Sequence, residues 1–379
     1  MSNSSKKEYL FEVRKRYFST SRIQKRIILD EFCTNCSYNR KYAIRLINNT
    51  SLPKLFYKRS GRKKIYHQKT IIDFLKHLLI ATNFICSKRL KAVIKVWLPF
   101  YLIHFPNTIS DEQQKLLLKI SHASIDRVLK KFRKKNQKLG LSSTKPGSLL
   151  KKHIPIKTNQ WDESRPGFIE ADTVAHCGVS LAGHYIHTVQ AVDIAGWTEC
   201  HAAWGKGERG VFDALKNIET ALPFKILGFD SDNGNEFLNR NLLKYFLNKK
   251  PPISFTRSRE YQKNDNAHIE QKNWTNIRQY LGYHRFDNPD ILPLLNNLFL
   301  KEWSLFFNCF IPSVKLISKF RDGSKTIKEH DKPKTPFLRL LDSNSLKPAK
   351  RKKLVTLYNS LDPFILFDSL KNQILILSY

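Results

Sequence analysis

The run Gly167-Phe-Ile-Glu-Ala-Asp-Thr-Val174 is short, β-like and opened by a glycine. Two similar runs follow at 185–193 and 197–204, set apart by turn signals at Gly178, Gly183 and Gly196. Beyond them the pattern alternates. Helical spacing covers 208–220, a fourth strand is expected over 224–230, a short helix near 236–248, a fifth strand over 253–257, and a long helix over 265–281. Three meandering strands that then alternate with helices describe an α/β fold, a mixed five-stranded sheet with helices on its faces.

Outward from this segment the composition changes. The chain has 379 residues and a formal net charge of +34. Residues 1–160 hold 36 Lys and Arg against 8 Asp and Glu, whereas residues 161–288 hold 15 against 16. A basic front joined to a near-neutral middle predicts that polyanion binding and chemistry are separated along the chain. A charge of this size points to a polyanionic partner, nucleic acid above all, and argues against an acidic-patch binder or a small-metabolite enzyme with a neutral surface.

The front carries two helix-turn-helix patterns. In the first, a helix over 22–32, a break at 33–37 and a helix over 38–48 place Arg40, Lys41 and Arg45 on the second helix. In the second, a helix over 111–120 and a turn at Ser121-His-Ala-Ser124 lead into a helix ending at Lys135. There Ile125, Val128, Leu129 and Phe132 repeat at helical spacing, which predicts a packed face. The opposite face holds Arg127, Lys130, Lys131, Arg133, Lys134 and Lys135, placed to meet phosphates and base edges. Between the two patterns, Lys58-Arg-Ser-Gly-Arg-Lys-Lys64 reads as a phosphate-contacting arm through Arg62, Lys63 and Lys64. The expected domains are a DNA-binding region at 1–135, a linker at 136–160 with Gly140, Pro146, Gly147 and Pro155, a core at 161–288 and a mostly helical region at 289–379.

Three acids stand out in the core. Asp172 lies in the first strand, Asp232 just past the fourth in Gly228-Phe-Asp-Ser-Asp-Asn-Gly-Asn-Glu-Phe237, and Glu270 near the start of the last helix. Helical spacing puts Glu270 on one stripe with Asn273, Trp274, Ile277 and Leu281, so it is expected to face the sheet. Carboxylates converging from two strands and a helix can hold two divalent ions for in-line displacement at phosphorus, with Mg2+ favoured by hard oxygen ligands and Mn2+ as a substitute. Asp230 is an alternative to Asp232 on the same strand face. Asp265 and Glu260 are alternatives to Glu270, although Asp265 suits a helix cap better. His268 reads as a surface or DNA-contacting residue, and Asp193 as a turn-capping acid. Lys263, Lys272, Arg278 and Arg257 flank the proposed site and are read as gripping the DNA backbone, with Tyr261 and Gln262 near the cut.

Asp172 with Thr173 and His176, then Asp232-Asn-Gly with Glu236-Phe237, then Glu270 at a helix start, together resemble the catalytic core of retroviral-type integrases and of the DDE transposases of bacterial insertion sequences. The resemblance covers roughly 165–285. It implies an RNase H-like fold, Asp172, Asp232 and Glu270 as the metal-binding catalytic triad, and Mg2+-dependent nicking and strand transfer at element ends. The N-terminus lacks the His-His-Cys-Cys zinc module of retroviral integrases, so that module's role is not carried over. A silent, domesticated transposase acting as a DNA-binding regulator, or an RNase H-like nuclease, are the rival readings.

Residues 289–379 suggest a packing and dimerisation module that also contacts DNA through Lys350-Arg-Lys-Lys353, as a transposase holding two DNA ends as a homo-oligomer would need. Of six scattered cysteines only Cys33 and Cys36 form a close pair, and without two further ligands they read as ordinary thiols near a helix end. Lys301 and Glu302 interrupt the best apolar stretch, and Met1–Lys7 is polar, so neither a membrane span nor a secretory signal is expected. A cytoplasmic, nucleoid-associated protein working on double-stranded DNA is the resulting expectation.

Overall fold

The computed structural model describes residues 1–49, 65–135, 165–231, 234, 236–257, 267–323 and 325–377. The chain divides into two compact units, 1–64 and 65–379. The first is built from α1 (Asn3–Phe18), α2 (Arg22–Cys36) and α3 (Arg40–Asn48). Their apolar faces enclose Val13, Ile28, Leu29, Phe32, Cys36, Ala43 and Ile47. The break before α3 falls later than expected. Cys33 and Cys36 belong to the last turn of α2, which stops at Ser37 in the left-handed region (φ 55°). Asn39 then caps α3 by accepting from the Lys41 N–H.

The second unit opens with α4 (Lys69–Ala81), α5 (Ser87–His104), α6 (Asp111–Lys119) and α7 (His122–Lys135). Ile125 and Leu129 are fully buried, as the spacing requires, while Arg127, Lys130, Lys131 and Lys134 are exposed. The sequence grouped these helices with residues 1–64 as one basic region. The structure instead packs them into the same core as the sheet. The physical reason is apolar: α4 buries Ile71, Phe74, Leu75, Leu78 and Leu79, and α5 buries Leu90, Val93, Ile94, Trp97 and Leu98. Each such side chain contributes about 1.5–3 kcal/mol on burial, which outweighs the surface charge that dominated the sequence pattern.

The sheet follows: β1 (Phe168–Ala175), β2 (Ile186–Asp193), β3 (Thr198–Trp204), α8 (Glu208–Ala221), β4 (Gly228–Ser231), α9 (Arg240–Leu247) and β5 (Ser254–Arg257). Its order is β3-β2-β1-β4-β5, with β1–β2 and β2–β3 antiparallel and β1–β4 and β4–β5 parallel. The expected mixed five-stranded sheet with flanking helices is therefore present. Asp193 ends β2 as a turn cap, accepting from the Gly167 and Ala195 N–H groups at 2.7 and 2.6 Å.

The long helix expected next is composite. α10 (Ala267–Lys272) runs into a π-helical segment, Asn273–Arg278, and then α11 (Gln279–Leu281). One π-turn takes up an extra residue and rotates the rest of the helix by about 100°. Ile269 and Ile277, about 80° apart in a regular helix, thereby come to share the buried face with Leu281. A second π segment, Phe299–Trp303, joins α12 (Ile291–Leu298) to α13 (Ser304–Phe310).

α13 carries two consequences for the fold. Asn308 accepts from the Thr198 N–H at 2.9 Å and donates to the Thr198 carbonyl at 2.8 Å. Asn296 on α12 does the same to Ala202, at 2.6 and 3.2 Å. Two side-chain amides thus satisfy the outward backbone groups of Thr198 and Ala202 on the edge of β3. Trp97 of α5 donates to the Phe310 carbonyl at 3.4 Å, fastening the front helices to this layer.

The region after α13 is less helical than expected. β6 (Leu316–Asp322) and β7 (Lys325–His330) form an exposed antiparallel hairpin before α14 (Pro336–Asp342), α15 (Pro348–Asn359) and α16 (Pro363–Ile376). α16 packs on α5, with His104 Nε2 and Asp362 Oδ2 2.9 Å apart. Among the described residues no helix is long and apolar enough to cross a membrane.

Candidate active site

Asp172 stands on the central strand, half-buried, and its two oxygens are separately held. Oδ1 accepts from the Thr173 N–H at 2.7 Å. Oδ2 accepts from Asn273 Nδ2 at 2.6 Å. Asn273 opens the π segment and follows Glu270 by three residues, so the helix that carries the proposed third acid reaches Asp172 through its own asparagine. The backbone at Glu270 is described and its side chain is not.

Asp232 lies outside the described residues, yet the strand beside it is informative. β1 and β4 pair in parallel register, ending at Ala171 opposite Ser231. Asp172 and Asp232 are the next residue along each chain. The rival Asp230 is fully buried and accepts from Thr256 Oγ1 at 2.6 Å, within the sheet. Asp265, Glu260, Tyr261, Gln262 and Lys263 fall outside the described residues, as do Arg62, Lys63 and Lys64.

Neighbouring residues on a strand face opposite sides, and Thr173 accordingly serves the other face of the sheet. Its hydroxyl donates to Glu236 Oε1 at 3.3 Å, and Lys206 Nζ lies 2.9 Å from the same oxygen. Glu236 is almost fully buried, so the lysine supplies the charge that a desolvated carboxylate needs. Gly234 explains its place in the Asp-Asn-Gly turn: a Cβ there would sit 2.5 Å from the Glu236 carboxylate. His187 shares this face and is held down to about 4, chiefly by burial. His176, whose Nε2 lies 2.8 Å from Thr188 Oγ1, is fully buried and held at about 3 for the same reason. Both imidazoles are neutral at physiological pH. Sequence reading singled out Glu236 only as part of a motif and missed Asn273 as a partner for Asp172, although the Glu270/Asn273 spacing was a usable signal.

Several expected phosphate-binding cations have other work. Lys272 turns its Nζ toward the Gly196 carbonyl at 3.4 Å, and burial together with the nearby Arg89 charge brings it down to about 7. It is therefore not presented to a DNA backbone. Arg278 donates to the Ala175 carbonyl at 2.6 Å, and Arg257 is buried at the end of β5. Arg133 leaves the basic face of α7 and donates to the Phe84 and Ile85 carbonyls at 3.2 and 2.7 Å. Arg127, Lys130, Lys131 and Lys134 remain exposed. On α3, Lys41 and Arg45 are exposed, Arg45 lying 5.2 Å over the Tyr42 ring, while Arg40 pairs with Asp30.

Among the described residues no three His, Cys, Asp or Glu side chains come together as a metal site. The part of the site that is described fits a hard cation in kind. Asp172 offers carboxylate oxygens, and the buried Asn273 Oδ1 beside it has no hydrogen-bond partner. Oxygen donors of this type suit Mg2+ or Mn2+.

No family model matches the chain. The protein named "Uncharacterized protein y4rM" from Sinorhizobium fredii (strain NBRC 101917 / NGR234) is 33% identical over 347 residues, covering 89% of this chain and 96% of that protein. The chain belongs to the same family as y4rM. Among solved structures, one of a simian T-cell lymphotropic virus intasome in complex with PP2A regulatory subunit B56 gamma aligns over 63% of this chain and 72% of that chain, at 13% identity and a TM-score of 0.29.

Proposed function

We propose that the protein is a DNA transposase of the DDE type, with an RNase H-like core that cleaves element ends and joins them to target DNA. The observation that carries this reading is the placement of Asp172. It lies on the central strand, is held by an asparagine of the helix bearing Glu270, and stands one residue past the last register pair with β4, whose Ser231 precedes Asp232 in the sequence. The mixed sheet and its order support the RNase H-like assignment.

Asp172, Asp232 and Glu270 are the residues that would hold Mg2+, one ion or two, with Mn2+ as a substitute. Bound there, the cation supplies positive charge to phosphoryl oxygens during in-line displacement. The chain's own residues do the rest. Asn273 fixes the orientation of Asp172, and Glu236 with Lys206 braces the Thr173 side of the same strand. Exposed Arg127, Lys130, Lys131 and Lys134 on α7, and Lys41 and Arg45 on α3, are the cations available for double-stranded DNA through helix-turn-helix units. Two DNA ends would be held by a homo-oligomer in the nucleoid.

The test is Mg2+-dependent cleavage and joining on DNA carrying the flanking element ends, comparing wild type with Asp172→Asn, Asp232→Asn and Glu270→Gln. These substitutions keep shape and remove ligand charge, so end binding should persist while chemistry falls by orders of magnitude. Wild-type protein that binds ends tightly and never cuts would leave a DNA-binding regulator. Activity that persists in all three variants would place the site elsewhere.

A further inference from the structure

A cavity of about 150 Å3 lies between the α4–α5 loop, the π segment with α11, and the end of α13. That is room for several waters or one small ion with its shell. Three features of its wall favour an anion.

The first is the N-terminus of α5. This 18-residue helix starts after Cys86, whose side chain makes no capping hydrogen bond, and its first turn has no acidic residue. Lys88 and Arg89 occupy that turn instead, at the positive end of the helix dipole, where cations are disfavoured. The second is Arg89 itself, which lines the cavity. Among the described residues its hydrogen-bond acceptor is the Pro312 carbonyl, reached by Nε at 2.5 Å, and no carboxylate lies within ion-pair distance. Burial lowers its affinity for a proton, and Lys272 is close enough to feel its charge. Asp126, on α7, accepts from Ser87 Oγ at 2.6 Å and stands beside Arg133. The third is Asn276 on the opposite wall. It is 2% exposed, its Oδ1 accepts from Thr275 Oγ1 at 3.1 Å, and its Nδ2 has no acceptor. A buried amide donor left unmade is a cost the fold does not recover within the protein.

We propose that this cavity is a binding site for one small phosphate-type oxyanion, held by the Arg89 guanidinium and the Asn276 amide beside the N-terminus of α5. A helix N-terminus and a guanidinium fork are complementary to such an anion. The site is independent of what the chain does to DNA, and it stands or falls separately from the transposase reading.

The experiment is thermal unfolding of the full chain titrated with inorganic phosphate, against sodium chloride at matched ionic strength and against a short DNA duplex. Saturating phosphate should raise the midpoint by roughly 2–4 °C beyond chloride. The deciding variant is Asn276→Asp, which places a carboxylate in the cavity as a built-in counter-ion. It should melt above wild type without phosphate and lose the phosphate-specific rise. Arg89→Gln should lose the rise as well; should it fail to fold, Asn276→Asp decides alone. The proposal is overturned if chloride matches phosphate, if Asn276→Asp retains the full rise, or if only the duplex stabilises the wild type.

Discussion

Asn273 Nδ2 donates to Asp172 Oδ2 at 2.6 Å, across 101 residues of sequence. This bond links the central strand to the helix that carries Glu270, at the residue where the π segment begins. A regular helix would rotate Ile277 and Leu281 away from the face that Asn273 shares with Ile269. A π-turn at this point is therefore part of how the helix can bury its apolar side and still reach Asp172.

If Asp172 holds the cation as proposed, Asn273 is a positioning residue for it. Asn273→Ala should lower Mg2+-dependent cleavage by about 10–100-fold, the usual cost of losing a group that orients a metal ligand. The Mg2+ concentration for half-maximal activity should rise with it, while DNA binding stays as in wild type. Unchanged cleavage and unchanged Mg2+ dependence would remove the role.

The cover on β3 yields a stability prediction. Asn296 and Asn308 are twelve residues apart, which is about 120° around a regular helix. The π segment between them takes back about 100°, so both amides meet the same strand edge. Asn308 is fully buried, and Asn308→Ala would strand the Thr198 N–H and carbonyl. A loss of about 2–3 kcal/mol in chemical denaturation is expected, with a smaller loss for the half-buried Asn296→Ala. Equal, negligible losses at both positions would show that the edge is covered by packing alone.

These two examples also mark the limit of sequence reading. All five strands were legible to within a few residues, because glycine or proline turn signals set them apart and short apolar runs fill them. The π segments were not, since an inserted residue leaves no pattern in a chain read at 3.6 residues per turn. For the same reason Glu270 was grouped with Trp274 and Ile277 as though the helix were regular. Lys272 and Arg133 misled because charge patterning counts a cation without showing where its long side chain goes. The union of α4–α7 with the sheet was hidden for a related reason: the lysines on these helices are conspicuous, while Trp97 and Leu78 face inward.

Buried Glu199 predicts a pH effect. Its Oε1 accepts from Trp197 Nε1 at 2.7 Å and Ser304 Oγ at 2.8 Å, and burial raises it to about 7. A carboxyl raised in the fold is stabilising when protonated, so its contribution is complete below the unfolded value of about 4.5 and lost as pH rises toward 7. Glu199→Gln retains an acceptor for both donors without the charge. It should match wild type near pH 4.5 and exceed it at pH 8 by up to about 3 kcal/mol, measured by urea unfolding across that range. A constant difference at all pH values would show that Glu199 does not titrate there.

The division between exposed and engaged cations can be read from salt dependence. Lys130, Lys131 and Lys134 are exposed on α7, whereas Lys272 is turned into the protein toward Gly196. If the α7 lysines meet phosphates, replacing all three with alanine should reduce the slope of log affinity for DNA against log salt by up to about 3, close to one for each phosphate no longer neutralised. Lys272→Met should leave that slope unchanged, because an amine already brought down to about 7 releases few counter-ions from DNA. It should also be neutral or stabilising to the fold, since it exchanges a desolvated ammonium for an apolar chain of similar length. A slope that falls with Lys272→Met and not with the α7 triple variant would reverse the assignment, placing the DNA path over α10 and not over α7.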